Sequence, residues 1–508
     1  MNPKTPLKSH VPSSFGWAAA GTVGQVIFQL AALATFARIL SPAEFGLVSA
    51  ATIITQLFQI LNEFGIGPAI VQREKLSDAD IQVGFTLSCL LGGVIILALW
   101  TISPILAEIF HVPELTWVIR AYTIGFALKS YSAVAESLMQ RTMEFRFLAR
   151  IDTISFAIGY AGLGILCGLN GFSYWSLVVA QLSQSAIKAG FVLRYRSHSK
   201  SVSFDRESVR KFLHFGTGQS ISRLGSYVAS QGDSFVVAKV LGVERLGEYG
   251  RANQLVVMPG NHLGEIFDKV LFPTFSMVQG EKKRLGTAYC RALSIIAMLG
   301  LPLAALFYVT APELSLVLLG ERWSNVVEPI KILALGLPFR LLHKISDPTA
   351  RATGAVYNRA WRQVLVAVTL VAGAYAGSSF GLVGVAYGVL FATLLDAVMM
   401  VQLCSQIAEV KSKTILLALS PGVRIGMCTY VIALSMQYFS RLLMESHLEV
   451  LAVTLTTVII ALGSIIYILP TMSIGRAGTD VLGYAWTVLH IEQRLGIGPP
   501  RMRACPGL

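Results

Sequence analysis

Charge is what this chain has least of. Asp, Glu, Lys and Arg make up 14% of its 508 residues, against about 25% in an ordinary soluble protein. With 54% hydrophobic residues and a mean hydropathy of +0.63, the deficit excludes a water-soluble globular chain. Cysteine is also scarce. Cys89, Cys167, Cys290, Cys404, Cys428 and Cys505 stand far apart, and no two are spaced as metal ligands; free thiols and no metal are expected. No Gly-x-x-x-x-Gly-Lys-Ser/Thr phosphate loop is present, so the chain does not hydrolyse ATP through that motif. Leu319, not Gln, stands three residues ahead of Arg322-Trp323, which removes a processive glycosyltransferase signature. Nothing in these residues calls for a cofactor or for enzymatic chemistry.

What the chain does have is a succession of apolar runs, each long enough to cross about 30 Å of hydrocarbon as a helix. They lie at about 15–39, 45–70, 81–103, 117–139, 147–169, 173–195, 212–240, 248–278, 290–318, 328–351, 359–379, 382–406, 414–439 and 449–470. Lipid permits only helices or closed barrels, and these runs are too long for barrel strands. The expected fold is an all-α membrane protein of about 14 transmembrane helices. The first run is too long for a signal-peptide core and reads as an uncleaved span. In the tail, Val481, Leu482, Trp486 and Leu489 suit either an amphipathic helix on the membrane surface or isolated surface residues.

Lys and Arg outside the spans gather in the even-numbered junctions and both tails; the opposite junctions hold only Arg245, Arg322 and Arg441. By the positive-inside rule both termini are cytoplasmic. The same asymmetry accounts for the net charge of +13 without a nucleic-acid partner. The odd-numbered junctions are short, whereas an envelope polymerase or ligase would carry a large outer loop.

The chain repeats itself. Ala37-Arg38-Ile39-Leu40 before Phe45-Gly46 matches Ala238-Lys239-Val240-Leu241 before Leu246-Gly247. Arg120, Lys129 and Glu136 match Lys331, Arg340 and Asp347. A unit of six helices is even, so both copies share one orientation about an axis along the membrane normal. The expected organisation is a tail 1–14, a first six-helix lobe 15–195, a basic linker 196–211, a second lobe 212–406, two extra C-terminal helices over 407–470 and a tail 471–508.

Polar stripes cross some of these spans. In the seventh, Gln219, Ser222, Arg223, Ser226, Ser230 and Asp233 recur at helical spacing; in the eighth, Arg251, Gln254, Met258, Asn261, His262, Glu265, Asp268 and Lys269 do so. Thr22, Gln25 and Gln29 mark the first span; Thr52, Thr55, Gln56, Gln59, Asn62 and Glu63 mark the second. Such groups either glue helices together or line a watery cavity. Arg223 and Arg340 sit deep in their spans, as does Lys129, and a bidentate guanidinium suits phosphate. The candidate substrate contacts are Arg223, Arg340, Lys129, Gln25, Gln29, Gln219 and Asn261. Carboxylates suited to proton or sodium coupling are Glu63, Asp233, Glu265, Asp268 and Asp347, although Glu265 and Lys269 are also spaced to pair with each other. Arg251 and Arg38 lie near the outer ends of their helices and suit either a role in cargo release or, as the favoured reading, snorkelling to the interface. Pro259-Gly260, Pro302 and Pro338 break their helices as hinges or as static kinks.

Ser14 to Leu47, with Trp17, Ala37-Arg38-Ile39-Leu40-Ser41-Pro42 and Glu44-Phe45-Gly46-Leu47, resembles the start of bacterial polysaccharide flippases. Gly65-Ile66-Gly67-Pro68-Ala69-Ile70-Val71-Gln72 and Gln140-Arg141-Thr142-Met143-Glu144-Phe145-Arg146 share the likeness. The group is the O-antigen and exopolysaccharide (Wzx-type) branch of the multidrug/oligosaccharidyl-lipid/polysaccharide superfamily, and the resemblance covers roughly residues 14–470. It implies two six-helix lobes around a central cavity lined by helices 1, 2, 7 and 8, working by alternating access in the bacterial inner membrane. The implied cargo is a polyprenyl-diphosphate-linked oligosaccharide, for example a lipopolysaccharide or exopolysaccharide unit. A monomer is expected, with a polymerase and glycosyltransferases as partners. An ion-coupled multidrug exporter of the same superfamily, or a membrane polysaccharide polymerase or ligase, is the alternative.

Overall fold

The computed structural model describes residues 28–73 and 76–468. The start of the first expected span, including Gln25, and the tail from 469 lie outside the described residues. The described chain is helical, with no β-strand among the described residues. Its helices are α1 (Phe28–Ile39), α2 (Pro42–Glu63, resuming after a break as Ile66–Gln72), α3 (Asp78–Phe110), α4 (Leu115–Arg141), α5 (Phe145–Leu169) and α6 (Trp175–Tyr195). They continue as α7 (Arg206–Val236, ending in a π turn over Val237–Leu241), α8 (Val243–Val278), α9 (Lys282–Leu318) and α10 (Val327–Ala352). Last come α11 (Val356–Gly377), α12 (Gly381–Ile407), α13 (Ser412–Leu443) and α14 (His447–Ile468).

Eight described segments are long and apolar enough to cross a membrane: α2, α3, α5, α6, α9, the α11–α12 hairpin, α13 and α14. Their exposed faces carry large apolar side chains such as Leu97 at 68% and Ile459 at 69% exposure, a surface that suits lipid and not water. The long helices outside that set, α4, α7, α8 and α10, are the ones that carry Lys129, Arg223, Arg251 and Arg340.

Local chemistry sets the helix ends. Ser41 caps α2 in a reciprocal box with Glu44, and Pro42 opens the helix; Ser77 and Asp80 repeat the arrangement at α3. Phe64 and Gly65 adopt left-handed backbone at φ 36° and 65°, which stops α2 after Glu63 and restarts it at Ile66. The expected proline breaks are not breaks. Pro259 lies inside a continuous α8, Pro302 inside α9 and Pro338 inside α10.

Small residues set the closest approaches, as in other membrane helix pairs. Gly373 and Gly377 of α11 meet Gly388 and Gly384 of α12, so each helix presents Gly-x-x-x-Gly to the other. α2 is the bridge of the molecule. It packs on α4 on one side and on α7 and α8 on the other. Its crossing with α8 is backbone on backbone: a Cβ on Gly46 would run into the carbonyl of Val243, and one on Gly247 into that of Pro42. Gly93, on the open face of α3, has nothing within 4 Å of its Cβ position. Gly46→Val is therefore expected to destabilise the protein by about 1–3 kcal/mol, read as a lower thermal unfolding midpoint in detergent, whereas Gly93→Ala leaves the midpoint unchanged or slightly raised.

Candidate functional site

The interior helices enclose two adjoining compartments of about 590 and 290 Å³. Thr52 and Gln56 of α2 and Gln181 of α6 line both. The larger runs between α2 and α8, past Arg251, Gln254, Asn261 and His262; the smaller lies among α2, α4 and α6, past Lys129 and Lys188. The stripes on α2 and α8 therefore face each other across a polar space.

One end of that space is sealed. Besides the Gly46–Gly247 crossing, Trp323 is fully buried; its indole donates to the Ala37 carbonyl at 2.9 Å and meets the Phe45 ring edge-on. Arg38 is exposed and donates to the Val317 carbonyl at 2.9 Å in the last turn of α9, so it fastens α1 to the end of α9. Arg251 does not snorkel. Its guanidinium lies over the Phe45 ring at 4.5 Å, its buried Nε has no partner, and it lines the larger compartment.

The break in α2 makes the central charge cluster. Because the helix stops at Phe64, the Glu63 carboxylate leaves the last turn, where unpaired carbonyls already make the surroundings negative. Two cations answer it. Lys129 of α4 donates to one carboxylate oxygen at 2.6 Å, and Arg223 of α7 donates to the other. The three side chains are 44%, 40% and 30% exposed for Lys129, Arg223 and Glu63. Ion pairs this open are worth about 0–1 kcal/mol each, so they hold the carboxylate without locking it.

A second cluster was not singled out from the sequence. Lys188 of α6 lies 2.9 Å from both Glu136 of α4 and Asp152 of α5. The signal was present, a lone lysine in the apolar run from Trp175 to Tyr195. A third joins α8, α10 and α11. Arg351 pairs with Asp268 and, at 2.9 Å, with Asp347, which also receives Arg359.

Of the remaining candidates, Asn261 is exposed on the wall of the larger compartment, and Gln29 is half-buried on α1. Asp233 is buried and accepts from Tyr249 at 2.6 Å, with Arg340 of α10 near enough to act on that tyrosine. Arg340 thus stands apart from the Glu63 cluster, and the structure joins Arg223 with Lys129 instead. The side chains of Gln219 and Glu265 lie outside the described residues.

Residues 35–328 match the family described as "Polysaccharide biosynthesis protein". The chain is similar to the lipopolysaccharide biosynthesis protein WzxC of Escherichia coli, with 24% identity over 407 residues covering 77% of this chain and 80% of that one. It is also similar to the succinoglycan biosynthesis transport protein ExoT of Rhizobium meliloti, 24% identical over 404 residues, 80% of this chain and 79% of the other. Its fold is like that of the lipid II flippase MurJ in an inward closed conformation, with a TM-score of 0.71 at 13% identity over 88% of this chain and 98% of that one. The resemblance and the all-α membrane fold read from the sequence are borne out, and the chain is a multi-pass membrane protein.

The α8–α10–α11 cluster has a clear energetic asymmetry. Asp347→Asn strands Arg359 and leaves Arg351 with Asp268 alone, and is expected to cost about 2 kcal/mol, below the range for a fully buried pair. Asp268→Asn leaves Arg351 with Asp347 and is expected to cost less than half as much. Thermal unfolding of the two purified variants checks the order.

Proposed function

The chain belongs to the polysaccharide biosynthesis protein family, and from that premise we propose that it flips a polyprenyl-diphosphate-linked oligosaccharide from the cytoplasmic to the outer leaflet of the bacterial inner membrane. The observation that carries this reading is the convergence of Lys129, which lines the smaller compartment, and Arg223 of α7 on the single carboxylate of Glu63. A diphosphate brings about two negative charges whose removal from water costs many kcal/mol unless they are met by cations. Glu63 stands between these two cations as that anion would. The cargo's diphosphate displaces it, exchanging two open carboxylate pairs for charge-assisted bonds to phosphate oxygens. Arg251, with no acid partner among the described residues, offers the next cation towards the sealed end. A cationic drug would meet these same charges as repulsion, which disfavours a multidrug exporter. Sugar hydroxyls find partners in Gln56, Gln181, Gln254 and Asn261.

In this reading residues 15–195 and 212–406 act as two lobes joined by the linker 196–211, with helices 407–470 outside them. Alternating access parts α2 from α8 at the glycine crossing. The basic junctions and both tails are cytoplasmic, the protein acts as a monomer, and glycosyltransferases supply the cargo that a polymerase then consumes. Glu63, freed when the diphosphate takes its cations, is the carboxylate best placed to bind a proton during the cycle; Asp268 and Asp347 are held by arginines.

Purified protein in vesicles loaded with lipid-linked oligosaccharide tests the proposal. Arg223→Ala and Lys129→Ala are each expected to slow flipping about 10- to 100-fold, the loss of one charge-assisted bond to phosphate. Arg340→Ala, outside the cluster, is expected to slow it less. Glu63→Gln is expected to bind farnesyl diphosphate more tightly than wild type. A well-folded Lys129→Ala, Arg223→Ala double variant that flips at the wild-type rate overturns the assignment.

A further inference from the structure

α9 and α13 are pinned at one end and part at the other. At the pinned end Glu313, 1% exposed, accepts from Arg441 and from Gln437, each at 2.5 Å. In mid-span Gly422 and Gly426 of α13 lie against the backbones of Ala297 and Leu301 of α9, so closely that a Cβ at Gly422 would run into Ala297. Beyond that crossing a crevice of about 810 Å³ opens between the first turns of α9 and the start of α13, within the ~300–1,000 Å³ range of small-ligand sites.

Its lining is strongly one-signed. Lys282, Lys283 and Arg291 come from α9, and Lys411 and Arg424 come from the α12–α13 junction and α13. Glu409 is the carboxylate among the lining residues, and Lys282 already holds it at 2.6 Å. The lining is also partly apolar. Leu417 forms a wall of the crevice and is 62% exposed, and the same helix shows Met427 at 69% exposure on its outer face. None of the lining residues comes from α2, α4, α7 or α8, the helices that carry the cavity's cations. The crevice is a separate place, at the level where the chain's basic residues gather and on a side that faces lipid.

We propose that this crevice binds the headgroup of an anionic phospholipid of the surrounding leaflet. The phosphate sits among Lys283, Lys411 and Arg424, and the first carbons of the tails lie along Leu417. Cations give a phosphate charge-assisted bonds, and basic pockets between membrane helices suit acidic headgroups. A free phosphate ion gains nothing from the apolar wall. A cargo diphosphate has its cations in the central cavity, and this site does not depend on that cargo.

The test is native mass spectrometry of the full chain, reconstituted in bilayers of phosphatidylcholine with or without phosphatidylglycerol and then extracted into mild detergent. Wild type is expected to retain phosphatidylglycerol selectively. Lys283→Gln, Lys411→Gln and Arg424→Gln together are expected to reduce retention at least about tenfold, while Arg146→Gln, Arg150→Gln and Arg194→Gln, which remove the same charge elsewhere, leave it intact. Ala418→Trp fills the crevice and keeps every cation; it too is expected to lose the lipid. Thermal unfolding reports whether each variant is folded, and phosphatidylglycerol is expected to raise the midpoint of wild type more than that of Ala418→Trp. Equal losses in both charge-removal sets, full retention by Ala418→Trp, or displacement of the lipid by farnesyl diphosphate or inorganic phosphate at matched concentration would each overturn the assignment.

Discussion

A charge inside a bilayer must be answered by another charge or by water, and the structure follows from how this chain meets that demand. Hydrocarbon offers neither, so the charged groups deep in the spans are met by partners on neighbouring helices. The clusters around Glu63, Lys188 and Asp347 each join three or more helices. They add to the close glycine packing that brings helices together in lipid, where apolar burial does not. The same groups give the interior its polar space. Assembly and cavity are two outcomes of one constraint.

Within that frame the break in α2 couples architecture to chemistry. An uninterrupted helix would continue past Glu63 with its carbonyls paired. The left-handed pair Phe64-Gly65 leaves the carboxylate on a helix end, reachable from α4 and α7 at once. Because the resulting ion pairs are open, the cluster joins α2, α4 and α7 weakly.

Much of the fold was legible because lipid imposes a simple code. Apolar runs of spanning length, the basic junctions and capping residues such as Ser41 and Ser77 all announce helices directly. Stripes on α2 and α8 announced a shared cavity. What was not legible depends on distance across the fold. Depth in the spans singled out Arg223, Arg340 and Lys129 together, because depth can be counted while azimuth against another helix cannot: Lys129 and Arg223 share Glu63, whereas Arg340 lies near Tyr249. Pro259, Pro302 and Pro338 sit inside helices that run on past them, so these prolines mark where a backbone donor is missing and not where a helix stops. Arg251 was assigned to the interface from its nearness to a helix end, but the Phe45 ring draws it inward.

The crossing of α2 and α8 is made by two bare ribbons. Ordinary helix pairs interlock ridge into groove, and to separate they must lift side chains out of their slots. Gly46 and Gly247 provide no teeth. A contact without teeth can part without lifting side chains out of slots, and Gly46 and Gly247 fix the place where the backbones meet. For the transport cycle proposed above, such a crossing serves as a smooth bearing and not as a latch.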